Sequence, residues 1–338
     1  MDTVFPKFVD PYTKRPLQID DAGNLCLDEG GDRQIYRVVD GSYNFVRGES
    51  AELEHYDTEY HKDSIQPVTL EDVQDSWHDD CAPWYNMLLE SLGDLSGKKI
   101  LLVGAGRSCK EFYFAMRGAD VVFTDLSFQG VLGSSSDFRA ARSILTNHCA
   151  PTRNGASDPT HGSIQFHAAD AYHLPFADAS FDIVYGAAFV HHLDEWLPFL
   201  DEVHRVLTPG GICRFWDQAD SRLWSVLKRT VFWPVKMYSY WRQPRSEGDL
   251  RADRRGGFNR DNLHDLMKRA GFHELYFNRQ WFFLAVGWRH IGKTVNWNKR
   301  AMKAARPILH CLRLLDSMTV WCHRISDSRL ALIWGFQK

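Results

Sequence analysis

The stretch Lys99-Ile100-Leu101-Leu102-Val103-Gly104-Ala105-Gly106 constrains the fold more than any other part of the chain. An unbroken apolar run that enters a Gly-x-Gly turn reads as a strand buried on both faces, the kind found in parallel sheets. A second such run, Asp120-Val121-Val122-Phe123-Thr124, ends on Asp125. Strand, glycine turn, helix, strand and acid, in that order, are how an open α/β sheet holds an adenosine-containing cofactor. The glycines admit the ligand close to the backbone, and the acid accepts from ribose hydroxyls. Taken alone the motif leaves the cofactor open. A dinucleotide fingerprint has a third glycine where Cys109 stands, and other adenosine-binding loops often have one where Ser108 stands.

The text further along decides between them. Ala169-Asp170-Ala171 is followed by Leu174-Pro175-Phe176, Ser180-Phe181-Asp182-Ile183-Val184-Tyr185, His191-His192-Leu193, Pro209-Gly210-Gly211 and Ile212-Cys213-Arg214-Phe215-Trp216. This string, with the glycine strand before it, resembles class I S-adenosylmethionine-dependent methyltransferases over about residues 96 to 220, and more loosely over the C-terminal third. The resemblance implies an α/β fold: a Rossmann-like, mostly parallel seven-stranded sheet with helices on both faces. Expected strands are 99–103, 120–124, 164–167, 181–185 and 211–216, then one ending at Phe277 and a last one over Leu330 to Phe336.

The organisation expected around this core, residues 96–220, has four further parts. Residues 1–48 form a small β-rich module with a strand at Leu25-Cys26-Leu27. Residues 49–95 form a helical cap, with helices over Glu49 to Tyr60 and Trp77 to Leu92. Residues 221–257 form an insertion or lid. Residues 258–338 complete the fold, with a helix opening at Phe258-Asn259 and a helical excursion over 281–325; Ser143 to Gly162 reads as a loop. The phrase Tyr36-Arg37-Val38-Val39-Asp40-Gly41-Ser42-Tyr43 looks like a Trm112-like zinc-ribbon module. That family's first cysteine pair is replaced by Asp10 and Thr13, leaving Cys26, and one thiolate does not make a tetrahedral zinc site. A metal-free module held by apolar packing is therefore expected.

Charge is unevenly spread. Residues 1–100 carry a net −12, whereas 222–306 carry +13 together with six of the twelve tryptophans. Such a basic, aromatic block faces an anionic ligand, a membrane surface or the acidic part of its own chain. Nucleic acid is a less suitable partner, because the acidic first third repels phosphates. Seven dispersed cysteines without a Cys-x-x-Cys read as reduced thiols. The N-terminus shows no basic region followed by an apolar one, and no apolar run reaches the roughly 20 residues of a spanning helix. The expectation is a cytoplasmic protein, with peripheral membrane contact as an option.

Methyl transfer from a sulfonium needs alignment and exclusion of water more than it needs catalytic groups. The resemblance accordingly marks the cofactor, S-adenosyl-L-methionine, better than the chemistry. It puts Gly104, Ala105 and Gly106 under the cofactor, Asp125 on the ribose and Leu126 on the adenine face. Asp170 meets the adenine amino group with Ala171 beside it, unless Asp170 is a helix cap, and Ala187 lines the methionyl part. Arg107 either clamps the cofactor carboxylate or faces solvent. His191 and His192 follow the fourth strand; one acts as a general base, or both serve packing. Tyr56, Tyr60 and Trp224 are candidate acceptor-binding residues, whereas Trp84 and Tyr85 read more readily as packing. The function expected is methyl transfer to a small-molecule or lipid-like acceptor. An RNA methyltransferase and a non-catalytic scaffold are the alternatives, with a nicotinamide dehydrogenase behind them.

Overall fold

Ile100 and Leu102 turn to one side of their strand and Leu101 and Val103 to the other, and all four are buried. A strand covered on both faces requires helices on both, and the computed structural model has this arrangement. It describes residues 6–29, 32–48, 51–60, 67–79, 83–146, 162–218, 258, 260–280, 283–295, 298–318 and 331–338. Most of the expected loop 143–162 and the whole of the 221–257 insertion, Trp224 included, lie outside the described residues.

The N-terminal part holds a three-stranded antiparallel sheet of β1 (Gln18–Ile19), β2 (Leu25–Glu29) and β3 (Asp32–Tyr36), and a ribbon of β4 (Val38–Val39) and β5 (Ser42–Tyr43). The large sheet comprises β6 (Lys99–Leu102), β7 (Asp120–Asp125), β8 (Ile164–Ala168), β9 (Phe181–Ala187), β10 (Leu207–Gln218), β11 (Glu274–Gln280) and β12 (Ala331–Gln337). Its order is β8-β7-β6-β9-β10-β12-β11. The strands from β8 to β10 pair in parallel, and β12 runs antiparallel between β10 and β11. Each expected strand is present, most of them a residue or more longer than its apolar run.

After helices α1 (Ala51–Tyr60) and α2 (Leu70–Val73), one face of the sheet is covered by α3 (Pro83–Leu92), α4 (Phe112–Met116), α5 (Phe128–Thr146) and the helices Phe283–Thr294 and Arg306–Met318. The other is covered by α6 (Trp196–Val206) and the helix Arg260–Arg269. The helix expected from Trp77 to Leu92 is divided. Asp75–His78 form a single 3-10 turn, and the α-helix begins afresh at Pro83, whose fixed φ and missing N–H suit a first helical position.

The N-terminal strands are fastened to the outer edge of β8. Phe45 N–H donates to the Ala168 carbonyl (2.9 Å), Val9 N–H to that of Pro175 (3.0 Å), and Ala177 N–H to that of Lys7 (3.0 Å). Their own apolar cluster is small: Leu25, Tyr36 and Phe45. Much of the cohesion is polar. The fully buried Asp10 carboxylate accepts from the Thr13 N–H (2.8 Å), the Tyr36 hydroxyl (2.6 Å) and Arg47 (2.6 Å). Burial pushes the Asp10 pKa up, but these donors outweigh it and hold it below the ordinary value.

His167 sits in this seam, its Nδ1 accepting the Tyr43 N–H at 3.2 Å. Burial drives its pKa down to about 3. The folded protein therefore refuses a proton that the unfolded chain takes up near pH 6.5. The corresponding stability is complete above that pH and lost as pH falls toward 3. Chemical denaturation at pH 7 and at pH 5 should differ by about 2 kcal/mol from this residue. His167→Asn, which keeps an acceptor but cannot titrate, should remove that difference; an equal loss in the variant would assign it to other groups.

Candidate active site

From β6 the chain builds outward through β7 and β8, then returns to place β9 and β10 on the other side. The reversal leaves a crevice at the carboxyl ends of β6 and β9, where ligands of open α/β sheets bind. A cavity of about 250 Å³ opens there. Every turn leaving the carboxyl end of β6, β7, β8 and β9 contributes to its wall.

Gly104, Ala105 and Gly106 line it from the β6 turn. Gly104 and Gly106 have φ of 62° and 61°, the left-handed region that favours glycine. A Cβ on Gly104 would run into the Phe189 ring, and one on Gly186 would meet the same ring at 2.5 Å. The two glycines thus seat Phe189, which itself lines the cavity. Gly104→Ala combines left-handed strain with overpacking, together costing about 3 kcal/mol. Thermal unfolding should show it as a drop of several degrees, and the same substitution should cost less in a Phe189→Ala background, where the obstructing ring is gone. An equal cost in both backgrounds would uncouple the pair.

Asp125 closes β7 and lies 8 % exposed at the cavity wall, with Leu126 beside it. One carboxylate oxygen accepts the Gly106 N–H at 2.7 Å, the other the Ser127 N–H at 2.9 Å. Each oxygen keeps a lone pair for a ligand. Burial raises the Asp125 pKa, the two N–H groups oppose that rise, and the neighbouring Asp57 carboxylate adds to it. Asp57 belongs to α1 (Ala51–Tyr60), which it ties down by accepting from the Ser127 hydroxyl at 2.6 Å. This contact carries Tyr56 of the same helix into the cavity wall. Nothing is described of the Tyr60 side chain, though its backbone ends the helix.

After β8, Asp170 and Ala171 line the cavity. Asp170 caps no helix: its side chain accepts the Tyr172 N–H at 2.9 Å, closing a turn. After β9 come Ala187, Ala188 and Phe189. Ala188 has φ 56°, a strained value for a residue with a Cβ, and its N–H donates to Trp216 in β10 at 2.7 Å.

The structure separates the two histidines. His192 lines the cavity, its ring edge-on to Tyr56 at 6.4 Å. His191 lies against His192, the rings tilted with centroids 4.0 Å apart, and turns its Nδ1 to Asp217 at 2.6 Å. The other Asp217 oxygen accepts the His191 backbone N–H at 3.1 Å. Asp217 is buried near the end of β10 and went unmarked in the sequence, since its partner is 26 residues away. Arg107 takes neither expected position. It forms a two-pronged buried pair with Asp137 of α5, Nε to Oδ2 and Nη2 to Oδ1 both at 3.0 Å, locking the glycine loop to that helix. Trp84 and Tyr85 pack in the core against Trp216, as expected.

Residues 101–215 match the family model described as a methyltransferase domain. The matched segment runs from within β6 into β10 and contains the β6, β7, β8 and β9 turns. The chain is 33 % identical over 138 residues to a demethylmenaquinone methyltransferase of Thermobifida fusca, covering 39 % of this chain and 50 % of that one. It is 31 % identical over 126 residues to a fatty-acid O-methyltransferase of Mycolicibacterium smegmatis, covering 37 % and 38 %. The chain thus spans half or less of the length of these curated relatives. Among solved structures, phosphoethanolamine N-methyltransferase 2 of Haemonchus contortus, in complex with S-adenosyl-L-methionine, is similar over 75 % of this chain and 51 % of that one, with a TM-score of 0.45 and 14 % identity.

Proposed function

We propose that the chain is an S-adenosyl-L-methionine-dependent methyltransferase acting on a small-molecule or lipid-like acceptor. The observation that carries the reading is the cavity at the sheet's reversal point, which gathers the glycine turn, Asp125 and Asp170 within a segment matching a methyltransferase domain. The donor set suits an adenosyl group. Asp125 offers two carboxylate lone pairs to a vicinal diol, Asp170 an acceptor for an exocyclic amine, and Leu126, Ala171 and Ala187 apolar walls. When bound, the cofactor supplies an electrophilic methyl group on a sulfonium.

The chain's own residues do the rest. Asp125 and the glycine turn fix orientation, and α1, anchored through Asp57, covers the site and excludes water. Tyr56 and His192 face the acceptor side, and Tyr60 and Trp224 are assigned to acceptor binding from the sequence alone. His192 takes the proton from an acceptor that carries one at neutral pH, while His191, held by Asp217, backs it. The names of the relatives above, a menaquinone-precursor and a fatty-acid enzyme, support a lipid-like acceptor. The N-terminal strands are read as a Trm112-like module without its zinc cysteines, and the basic 222–306 block as the part that meets an anionic ligand or membrane surface.

Isothermal calorimetry with S-adenosyl-L-homocysteine tests this reading. One site per chain with a micromolar dissociation constant is expected, and no heat at sub-millimolar ligand would leave a non-catalytic scaffold in its place.

A further inference from the structure

Helix Arg306–Met318 is apolar on both sides. Inward, Leu309 is buried and Asp316 caps the helix beneath, accepting the N–H groups of Phe283 (3.0 Å) and Leu284 (2.8 Å). Outward, Ile308 is 58 %, Leu314 63 % and Met318 75 % exposed, with exposed Pro307 and Cys311 completing the stripe. Positions 307, 311, 314 and 318 fall on one helical face, with Ile308 at its margin. A surface helix of a globular domain normally turns polar residues outward. Here large apolar side chains are turned to solvent instead.

Among the described residues the charges beside the stripe are mainly cationic, with Arg306 paired to Asp79 at 3.5 Å. Arg300, Lys303 and Arg306, three residues apart, are exposed along the approach to it. No acidic residue occurs between Glu274 and Asp316, and Asp316 itself is buried. An apolar helix face bordered by a row of cations has the composition of a helix lying in the headgroup layer of an anionic bilayer. Among the described residues no helix is long and apolar enough to cross a membrane. A symmetric contact with a second copy would bring like charges together.

We propose that the outer face of helix Arg306–Met318 docks the protein on the surface of an anionic lipid bilayer. The inference extends the membrane contact suggested for the basic block 222–306, whose last cations are Arg300, Lys303 and Arg306, onto the apolar face of this helix. The helix packs on Phe283–Thr294, whose Trp288 meets Trp84 at 5.1 Å, and Trp84 stacks on Trp216, the residue before Asp217. The docking helix and Trp216 of β10 thus belong to one packed layer. Docking stands independently of the methyltransferase reading, because it is measured without turnover.

The full chain should co-sediment with vesicles of equal phosphatidylglycerol and phosphatidylcholine, weakly with pure phosphatidylcholine, and less as salt rises. A triple variant, Ile308→Glu, Leu314→Glu and Met318→Glu, replaces exposed side chains only and should keep its circular dichroism spectrum. Its partitioning should fall by roughly a hundredfold. Arg300→Glu with Lys303→Glu should reduce binding to anionic vesicles alone. The proposal is overturned if wild type stays in the supernatant or the triple variant binds as wild type does. It is also overturned if light scattering shows a dimer that the triple variant dissolves while vesicles capture neither form. Calorimetry with S-adenosyl-L-homocysteine on the same samples reports separately on the cofactor site.

Discussion

Asp125→Ala should weaken S-adenosyl-L-homocysteine binding by about two to three orders of magnitude and leave the protein folded. Hydrogen bonds to a charged group are each worth about 1.5–3 kcal/mol, and each 1.4 kcal/mol is a factor of ten. Two ribose hydroxyls on one carboxylate account for the loss. The fold tolerates the change because the carboxylate is itself poorly accommodated: burial and Asp57 both disfavour its charge. Gly106, one of the two N–H donors it leaves, lies at the wall of a cavity that water can enter. Acidity gives an independent check. Since the Asp125 pKa is raised, its proton returns at a higher pH than for an ordinary carboxylate, so affinity should begin to fall above the usual range on acidification. Stability responds in the opposite sense: a raised acid pKa contributes at low pH, and that contribution is lost as pH rises through it. Asp57→Asn removes the repulsive neighbour and should move the binding midpoint to lower pH. Calorimetry across a pH series reads both effects. Wild-type affinity in Asp125→Ala would remove this residue from the site.

What could be read from sequence was what lies close in sequence. The glycine turn and Asp125 end strands that declare themselves by apolar runs, and the parallel register brings those ends to one edge of the sheet. Ala187 and Asp170 follow the same rule. Contacts made across long separations were not legible. Asp217 lies on β10, one strand over from His191, and its role exists only because β9 and β10 run in parallel with Trp216 opposite Ala187. Arg107 had two readings and took a third, because its partner Asp137 is brought near by the packing of α5 and not by any local pattern. Phe189, unmarked in the sequence, is core and also accounts for two glycines. At the N-terminus an expected apolar packing is reinforced by a buried carboxylate with three kinds of donor. Residue types alone do not reveal that Asp10, at a position that the resemblance gives to a metal ligand, makes a hydrogen-bonded hub.

The two histidines should fail in different ways when removed. His192 lines the cavity, so His192→Ala should slow methyl transfer by about a hundredfold or more, the usual contribution of a positioned base. The loss should shrink at alkaline pH, where an acidic acceptor ionises unaided, while affinity for S-adenosyl-L-homocysteine and thermal stability stay near wild type. His191 is tied to a buried carboxylate. His191→Ala removes the Nδ1 contact to the buried Asp217 carboxylate, and losing a hydrogen bond to a buried charged group costs about 1.5–3 kcal/mol. Its signature is therefore a fall in melting temperature. Asp217→Asn separates orientation from charge: it keeps the shape but no longer fixes Nδ1 as the protonated nitrogen, so a modest rate loss with a near-normal melting temperature is expected. Radiolabelled methyl transfer into an organic-extractable lipid pool, scored beside calorimetry and melting curves, gives all three readouts. If His192→Ala lowers stability and leaves the rate unchanged, His192 is a packing residue. If His191→Ala then shows the pH-rescued rate loss, the base is His191 and the pair works in the reverse order.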